Sequence, residues 1–286
     1  MNLLRHIYQP GKELSLVDGH TSLWRYRFAT DHQKPFIHPL TTPSGVALTC
    51  FEPWDHQWHR GLWFSWQYIN DVNYWEERNG VPAGVGEGKT EFVGPEEVAL
   101  TPEGARVVSR YRYRPPSGDP ILEDTREVFF AMPENDRYSI DFSLAFTAKA
   151  DIVIRRTPED WGGYSGFSIR TARSMGGFQL LNSEGQKDAD TQHAPARWVD
   201  LTGKADGGWG IVAGVTFMEH PQNPRTPNRW KTFGMDGFGY INPSLVMQEP
   251  LVLGKGESLC LRYRALAHDG QLDAATLDAE FARFAK

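Results

Sequence analysis

Polar and apolar positions alternate along much of this chain. In "RYSIDFSLAF", Tyr138, Ile140, Phe142, Leu144 and Phe146 fall on one side of an extended backbone, and Ser139, Asp141 and Ser143 fall on the other. A period of two is that of a half-buried strand with one wet face, as in an antiparallel sheet. Similar runs recur from end to end, among them "TSLWRYRF", "GVALTCF", "GLWFSWQY", "ARVVSRYRYR", "ILEDTREVFF", "WGIVAGVTFM" and "SLCLRYRALA". Gly, Pro, Asn and Asp punctuate them. A three-to-four spacing shows only in "DGQLDAATLDAEFARFAK", where Leu272, Leu277, Phe281 and Phe284 predict one helix covering a sheet edge. Strands without intervening helices exclude a parallel α/β arrangement. The expected fold is all-β: an antiparallel two-sheet β-sandwich with a short C-terminal helix, residues 1–286 forming one domain.

Composition narrows the function. Hydrophobic residues at 40% and charged ones at 23% are an ordinary globular balance. A formal net charge of −6 without a basic cluster argues against nucleic acid as partner. No run of ~18 apolar residues is long enough for a membrane helix. The start, "MNLLRHIYQPGKELS", lacks the apolar region of a secretory signal, so a cytoplasmic protein is expected. Cys50 and Cys260 sit in apolar, strand-like settings and read as buried, inert thiols rather than a disulfide. Exposed sheet edges and a tryptophan-rich surface are compatible with a homodimer.

The chemistry concentrates in "EPWDHQWHRGLWFSWQYINDVNYWEE", residues 52 to 77. It holds Trp54, Trp58, Trp63, Trp66 and Trp75, half of the chain's 10 tryptophans, around Asp55, His56, His59 and Arg60, and it ends on Glu76 and Glu77. Residues three apart on a strand point to opposite faces, so His56 and His59 share a target only if "DHQWH" is a turn or a short helical loop. Pro53 and Gly61 bracket it as a turn would require. The bland alternative packs the histidines under tryptophans and makes Asp55 and Arg60 a structural ion pair. Density favours function, because buried ionisable groups are costly unless paired and are kept where a perturbed pKa is useful. The glycine-rich "NGVPAGVGEGKT", 79 to 90, reads as a mobile lid and does not satisfy the spacing of a P-loop.

A second cluster, "MEHPQNPRTPNRW" at 218 to 230, places Glu219 and His220 at a strand end, and its prolines fix the path of Asn223, Arg225 and Trp230. His38 in "FIHPL" precedes the first cluster, and Arg170 in "GFSIRTA" stands between the two. Tryptophan faces flanked by Asp, Asn, Arg and His suit a sugar, the rings covering its C–H face and the polar groups bonding its hydroxyls. Acid/base work at an anomeric centre needs a proton donor and an acceptor, for which His56, His59, His220, Glu219 and Glu76 are the catalytic candidates. His38, Asp55, Arg60, Trp63, Trp66, Arg170, Asn223 and Trp230 are the candidates to bind the substrate. No HExxH signature and no G-x-S-x-G in its strand–turn–helix setting occur, so neither a metal nor another cofactor is expected. A metal-dependent hydrolase or lyase built on Asp55, His56, His59 and His220 stays as an alternative.

Seven segments then carry a resemblance: "KPFIHPLTTPSGVALT", "DHQWHRGLWFSW", "GFSIRTA", "ARWVDLTG", "EHPQNPRTPNRW", "GYINPSL" and "LRYRALAHDG". Together they span nearly the whole chain, which resembles a bacterial family labelled methane oxygenase PmoA-like. The resemblance implies a β-sandwich similar to the galactose mutarotase superfold and a role among carbohydrate enzymes. The family's first motif looks like D-H-x-H-H-R-G, often with Pro after the first His. Here Gln57 and Trp58 replace the Pro and one His, while Glu219 replaces a later Asp. The resulting expectation is an enzyme using acid/base chemistry near the anomeric centre of a sugar or oxidised sugar, with glycoside cleavage by hydrolysis or elimination favoured. An aldose epimerase and a non-catalytic sugar-binding or regulatory protein are the alternatives.

Overall fold

The computed structural model describes residues 4–76, 87–94, 96–157, 159, 162–205 and 210–286. The proposed lid falls mostly on residues 79–86, and Glu77 adjoins them; both lie outside the described residues. The described strands pair antiparallel into an eight-stranded sheet and a nine-stranded one, with a small four-stranded sheet that the sequence pattern does not announce. One continuous core joins the two large sheets, from Leu14, Trp24 and Phe64 in the first to Val128, Phe142 and Tyr263 in the second. The antiparallel β-sandwich with a C-terminal helix is therefore the observed architecture.

Alternation is realised residue by residue. In the Arg137–Ala148 strand Tyr138, Ile140, Phe142, Leu144 and Phe146 are buried, and Ser143 and Ala145 are exposed. Burying each large apolar side chain contributes about 1.5–3 kcal/mol, which fixes the strand's register, since a slip of one residue would turn them all to water. The same rule explains a correction. Cys260 lies between the inward Leu259 and Leu261 and is exposed, and Cys50 is half-buried; both are free thiols, not buried ones.

The helix, Ala274–Phe284, is capped by Asp273, whose side chain accepts from the Thr276 N–H at 2.8 Å. It covers a sheet face rather than the expected edge. Trp198, Met218 and Leu266 stand on three neighbouring strands of the nine-stranded sheet and point away from its core, and Leu277 and Phe281 of the helix bury them. Among the described residues no helix is long and apolar enough to cross a membrane.

The eight-stranded sheet positions the site. Across its Phe36–Leu40, Leu62–Ser65, Gly166–Arg170, Phe238–Ser244 and Arg229–Met235 strands, Ile37, Leu62, Phe64, Phe167, Ile169 and Ile241 turn inward to the core. The alternate residues Phe36, Trp63 and Tyr240 form a separate aromatic cluster with Trp75. Register pairs Phe36 with Trp63, Trp63 with Ser168, Arg170 with Tyr240, and Tyr240 with Phe233. The outer face, usually the wet one, is here lined with aromatic rings.

Candidate active site

Residues Phe51 to Arg60 close a loop over this outer face, joined at its base by a bridge between those two residues. Inside it the His56 N–H donates to Pro53 O at 3.0 Å and the His59 N–H to His56 O at 2.9 Å, so "DHQWH" is the turn that shared use of its histidines demands. Arg60 is buried completely. Its guanidinium donates to the carbonyls of His32 and Gln57, faces Glu52 at 3.1 Å and lies over the Phe51 ring. It holds the loop together and does not line the site. Gly61 follows with φ +74°, and a Cβ there would stand 2.5 Å from Ile37 O, so only glycine lets the loop return so close to the neighbouring strand.

Asp55 does not pair with Arg60. One of its oxygens accepts from Arg170 Nη2 at 2.8 Å and from His56 Nδ1 at 2.9 Å, and the other from Arg173 Nη1 at 3.3 Å. Burial alone would raise this carboxyl, but the bonds from Arg170 and His56 outweigh it and bring its pKa to about 2. An ionised carboxylate only accepts, so His56 carries its proton on Nδ1 and leaves Nε2 free for a ligand. The rings of His56 and His59 stack. Burial first, then the charges of His56, Arg170, Lys34 and Arg60, holds His59 well below the usual imidazole value, so it is neutral near pH 7. Its Nδ1 is buried without a hydrogen-bond partner.

The two histidines line a cavity of about 350 Å³ with Trp58, Glu76, Tyr164, Phe233, Phe238 and Tyr240. Trp63 lies beneath, its ring 5.0 Å from His59 and 5.4 Å from Trp75. Arg170 sits behind Phe238, its guanidinium carbon 3.5 Å from the ring centre. The Tyr240 hydroxyl meets Ser168 Oγ at 3.1 Å, and the Glu76 N–H donates to Asn73 Oδ1 at 2.9 Å. Burial, then the Glu76 charge, raises the Tyr164 hydroxyl. The cavity thus joins apolar rings to a few polar atoms, among them His56 and Glu76.

The second sequence cluster is placed elsewhere. None of its four candidates lines the cavity. Glu219 is buried at the end of the Val212–Glu219 strand, its oxygens accepting from the Asn228 N–H and side-chain amide. Burial outweighs these bonds and lifts its pKa to about 7. His220 packs against Phe284 of the helix, its Nδ1 accepting from the Gln222 N–H at 3.1 Å. Asn223 bonds both backbone groups of Arg262 at 2.8 Å. Trp230 and Trp66 belong to the core between the sheets, not to a pocket wall: the Arg229–Met235 strand turns Trp230 inward, and Trp66 directly follows the Leu62–Ser65 strand. The Trp230 Nε1–H donates to Ala196 O at 2.8 Å. His38 lies against Phe51 behind the loop, its Nδ1 3.0 Å from Thr49 Oγ1, and burial followed by Arg25 lowers its pKa to about 4.

Five lining residues were not among the sequence candidates: Trp58, Tyr164, Phe233, Phe238 and Tyr240. A period of two in "TFGMDGFGY", counted outward from Phe233 to Tyr240 across the turn, is the signal that could have found three of them. A larger cavity, about 510 Å³, opens beside Asp200, Leu180 and Asp273. Its buried carboxylate is already bonded by Thr202, Thr216 and His268, and no aromatic ring lines it. Among the described residues no three of His, Cys, Asp and Glu converge as metal ligands.

A family model described as a family of unknown function, DUF6807, matches residues 13–282. No curated protein matches the sequence. Among solved structures, the galactosidase domain of the α-galactosidase–sucrose kinase AgaSK is similar over 93% of this chain and 42% of its own, at 13% identity and a TM-score of 0.47. The α-galactosidase from Lactobacillus brevis is similar over 93% and 39%, at 10% identity and 0.39. A polysaccharide lyase, BACCELL_00875, is similar over 97% and 34%, at 10% identity and 0.29. The chain spans less than half the length of each.

Proposed function

Because the chain belongs to DUF6807, a family of unknown function, its activity has to come from the site itself, and we propose that the cavity binds a sugar and catalyses acid/base chemistry near the anomeric carbon. One observation carries this reading. His56, its Nδ1 fixed on the ionised Asp55, presents a free Nε2 in the same aromatic cavity as the Glu76 carboxyl. Aromatic walls pack the C–H face of a sugar ring, and the two polar groups meet its hydroxyls and glycosidic oxygen.

In this mechanism Glu76 and His56 divide the proton transfers, one giving a proton to the leaving oxygen and the other taking one from water or from a carbon acid. Asp55 holds the imidazole in its tautomer and orientation without reacting, as a carboxylate behind a catalytic histidine does elsewhere. His59, neutral and buried, supplies the plate on which His56 stacks. Glycoside cleavage, hydrolytic or eliminative, is preferred. Ring opening in an aldose epimerase would use the same pair.

The test is product analysis by NMR on a panel of glycosides and free aldoses, wild type against His56→Ala and Glu76→Gln. Cleaved glycoside that both variants abolish supports the reading. Anomer exchange without cleavage selects the epimerase. Sugar binding with no turnover in the wild type makes the chain a binding protein.

A further inference from the structure

Four basic side chains gather beside the cavity, with no acid of the described residues between them. Lys231 stands on the Arg229–Met235 edge strand two residues before Phe233, and is only 3% exposed. Its Nζ lies 3.4 Å from His193 Nε2 and 5.2 Å from the centre of the Phe233 ring. Arg229 donates to His193 O at 2.7 Å. Arg156, anchored on the carbonyls of Met247 at 2.9 Å and Thr157 at 2.8 Å, adds its charge to both Lys231 and His193. Burial and then the Arg156 charge lower the Lys231 amine, while burial and then Lys231, Arg156 and Arg229 lower the His193 ring.

Among the described residues no acidic group perturbs either one, and no carboxylate pairs with Lys231, Arg156 or Arg229. Scarcity is not the reason, since the chain has 36 acidic residues against 30 Lys and Arg. A buried ammonium costs several kcal/mol when no counter-charge faces it, and like charges around it add to that cost. Such an arrangement is retained where an anion arrives from outside. His193 is exposed and gives the cluster an opening to solvent, and Phe233 is the wall it shares with the cavity.

We propose that Lys231, Arg156, Arg229 and His193 form an oxyanion subsite that takes the acid group, a carboxylate foremost, of the sugar bound in the neighbouring cavity. Resting on the sugar reading above, this makes the substrate class an acidic sugar such as a uronoside. Lys231 supplies a point charge at the bottom of the subsite, and the two guanidinium groups, partly engaged by backbone carbonyls, add positive charge beside it.

The experiment is calorimetric titration of the wild type and Lys231→Met with methyl hexuronosides, with the matched neutral methyl hexosides, and with sodium sulfate alone. The wild type is expected to bind an acidic sugar at least about tenfold tighter than its neutral partner. Lys231→Met should bring that ratio close to one and leave the neutral sugar's affinity unchanged. Arg156→Gln, at a half-buried position, should reduce the same ratio and serves if Lys231→Met does not fold. Equal binding of acidic and neutral sugars overturns the acidic-substrate assignment and leaves the sugar reading standing. If sulfate alone binds the wild type and not Lys231→Met, the anion subsite stands and is detached from the sugar. If no sugar binds, the proposed function falls, and absence of sulfate binding as well removes the subsite with it.

Discussion

The rings of His56 and His59 stack with centroids 4.6 Å apart and planes inclined by 24°. Two imidazolium ions at that distance repel, and burial keeps His59 the neutral member of the pair near pH 7. His56→Ala should therefore lower kcat by about 10²–10⁴ with little change in melting temperature, as removal of a general acid or base does. His59→Phe keeps a stacked ring and should retain measurable turnover. Steady-state kinetics on the two variants decide this: a His59→Phe enzyme as inactive as His56→Ala would exchange their roles.

Asp55 neutralises Arg170, which is 1% exposed. Asp55→Ala leaves that guanidinium buried without its counter-charge and should cost about 3 kcal/mol in urea unfolding, at the low end for a broken buried pair because Asp55 keeps some contact with solvent. Turnover should fall as well, since nothing then fixes the His56 tautomer. A variant of wild-type stability would mean that Arg170 finds another acceptor.

The pH dependence of folding should carry a signature of Glu219. Its pKa is about 7 in the native protein against an ordinary value of 4.5, so between these pH values the native state holds a proton that the unfolded chain has released. A raised folded-state pKa gives stability that is complete below the unfolded value and is lost as pH rises through the folded one. Stability should drop by roughly 3 kcal/mol from pH 4.5 to pH 7 on this account, at about 1.4 kcal/mol per unit. Denaturant melts across that window check it. Glu219→Gln should be less stable at low pH, where its amide meets the Asn228 donors, and its profile should be flatter.

Substitutions of aromatic residues should separate into two kinds. Trp66→Ala empties part of the core and should cost about 3–5 kcal/mol without altering ligand affinity at the outer face. Phe238→Ala should weaken sugar binding far more than it lowers stability, because Phe238 is half-buried and lines the cavity. Melting curves and titrations on both variants test the contrast. Equal ligand loss in Trp66→Ala would place that ring in the site.

Much of the fold was legible in the sequence because strand burial repeats every two residues, and Tyr138 to Phe146 follow the rule without exception. The opening hairpin, Leu4–Gln9 with Glu13–Asp18, was missed: its first strand is mostly exposed and shows no apolar face. The "DHQWH" turn could be read from Pro53 and Gly61, and its histidines from their spacing. What the sequence hid was long-range pairing. Nothing local says that Asp55 finds Arg170, that Glu219 faces Asn228 instead of the histidines, or that Tyr164 and Tyr240 join His56. Each depends on which strands become neighbours. Trp66 and Trp230 were misplaced for a simpler reason: a tryptophan looks the same in a core and in a binding wall, and only the strand's phase distinguishes them.

That phase divides the labour of the eight-stranded sheet between consecutive residues. Leu62 and Phe64 answer to the core, and Trp63 between them to the aromatic cluster under the cavity; Phe167 and Ile169 flank Ser168 likewise, and Ile241 follows Tyr240. The inward letters of these strands fill the core between the sheets, and the outward ones pack the separate aromatic cluster. The proposed binding face and the core that supports it are thus written on alternate positions of the same strands.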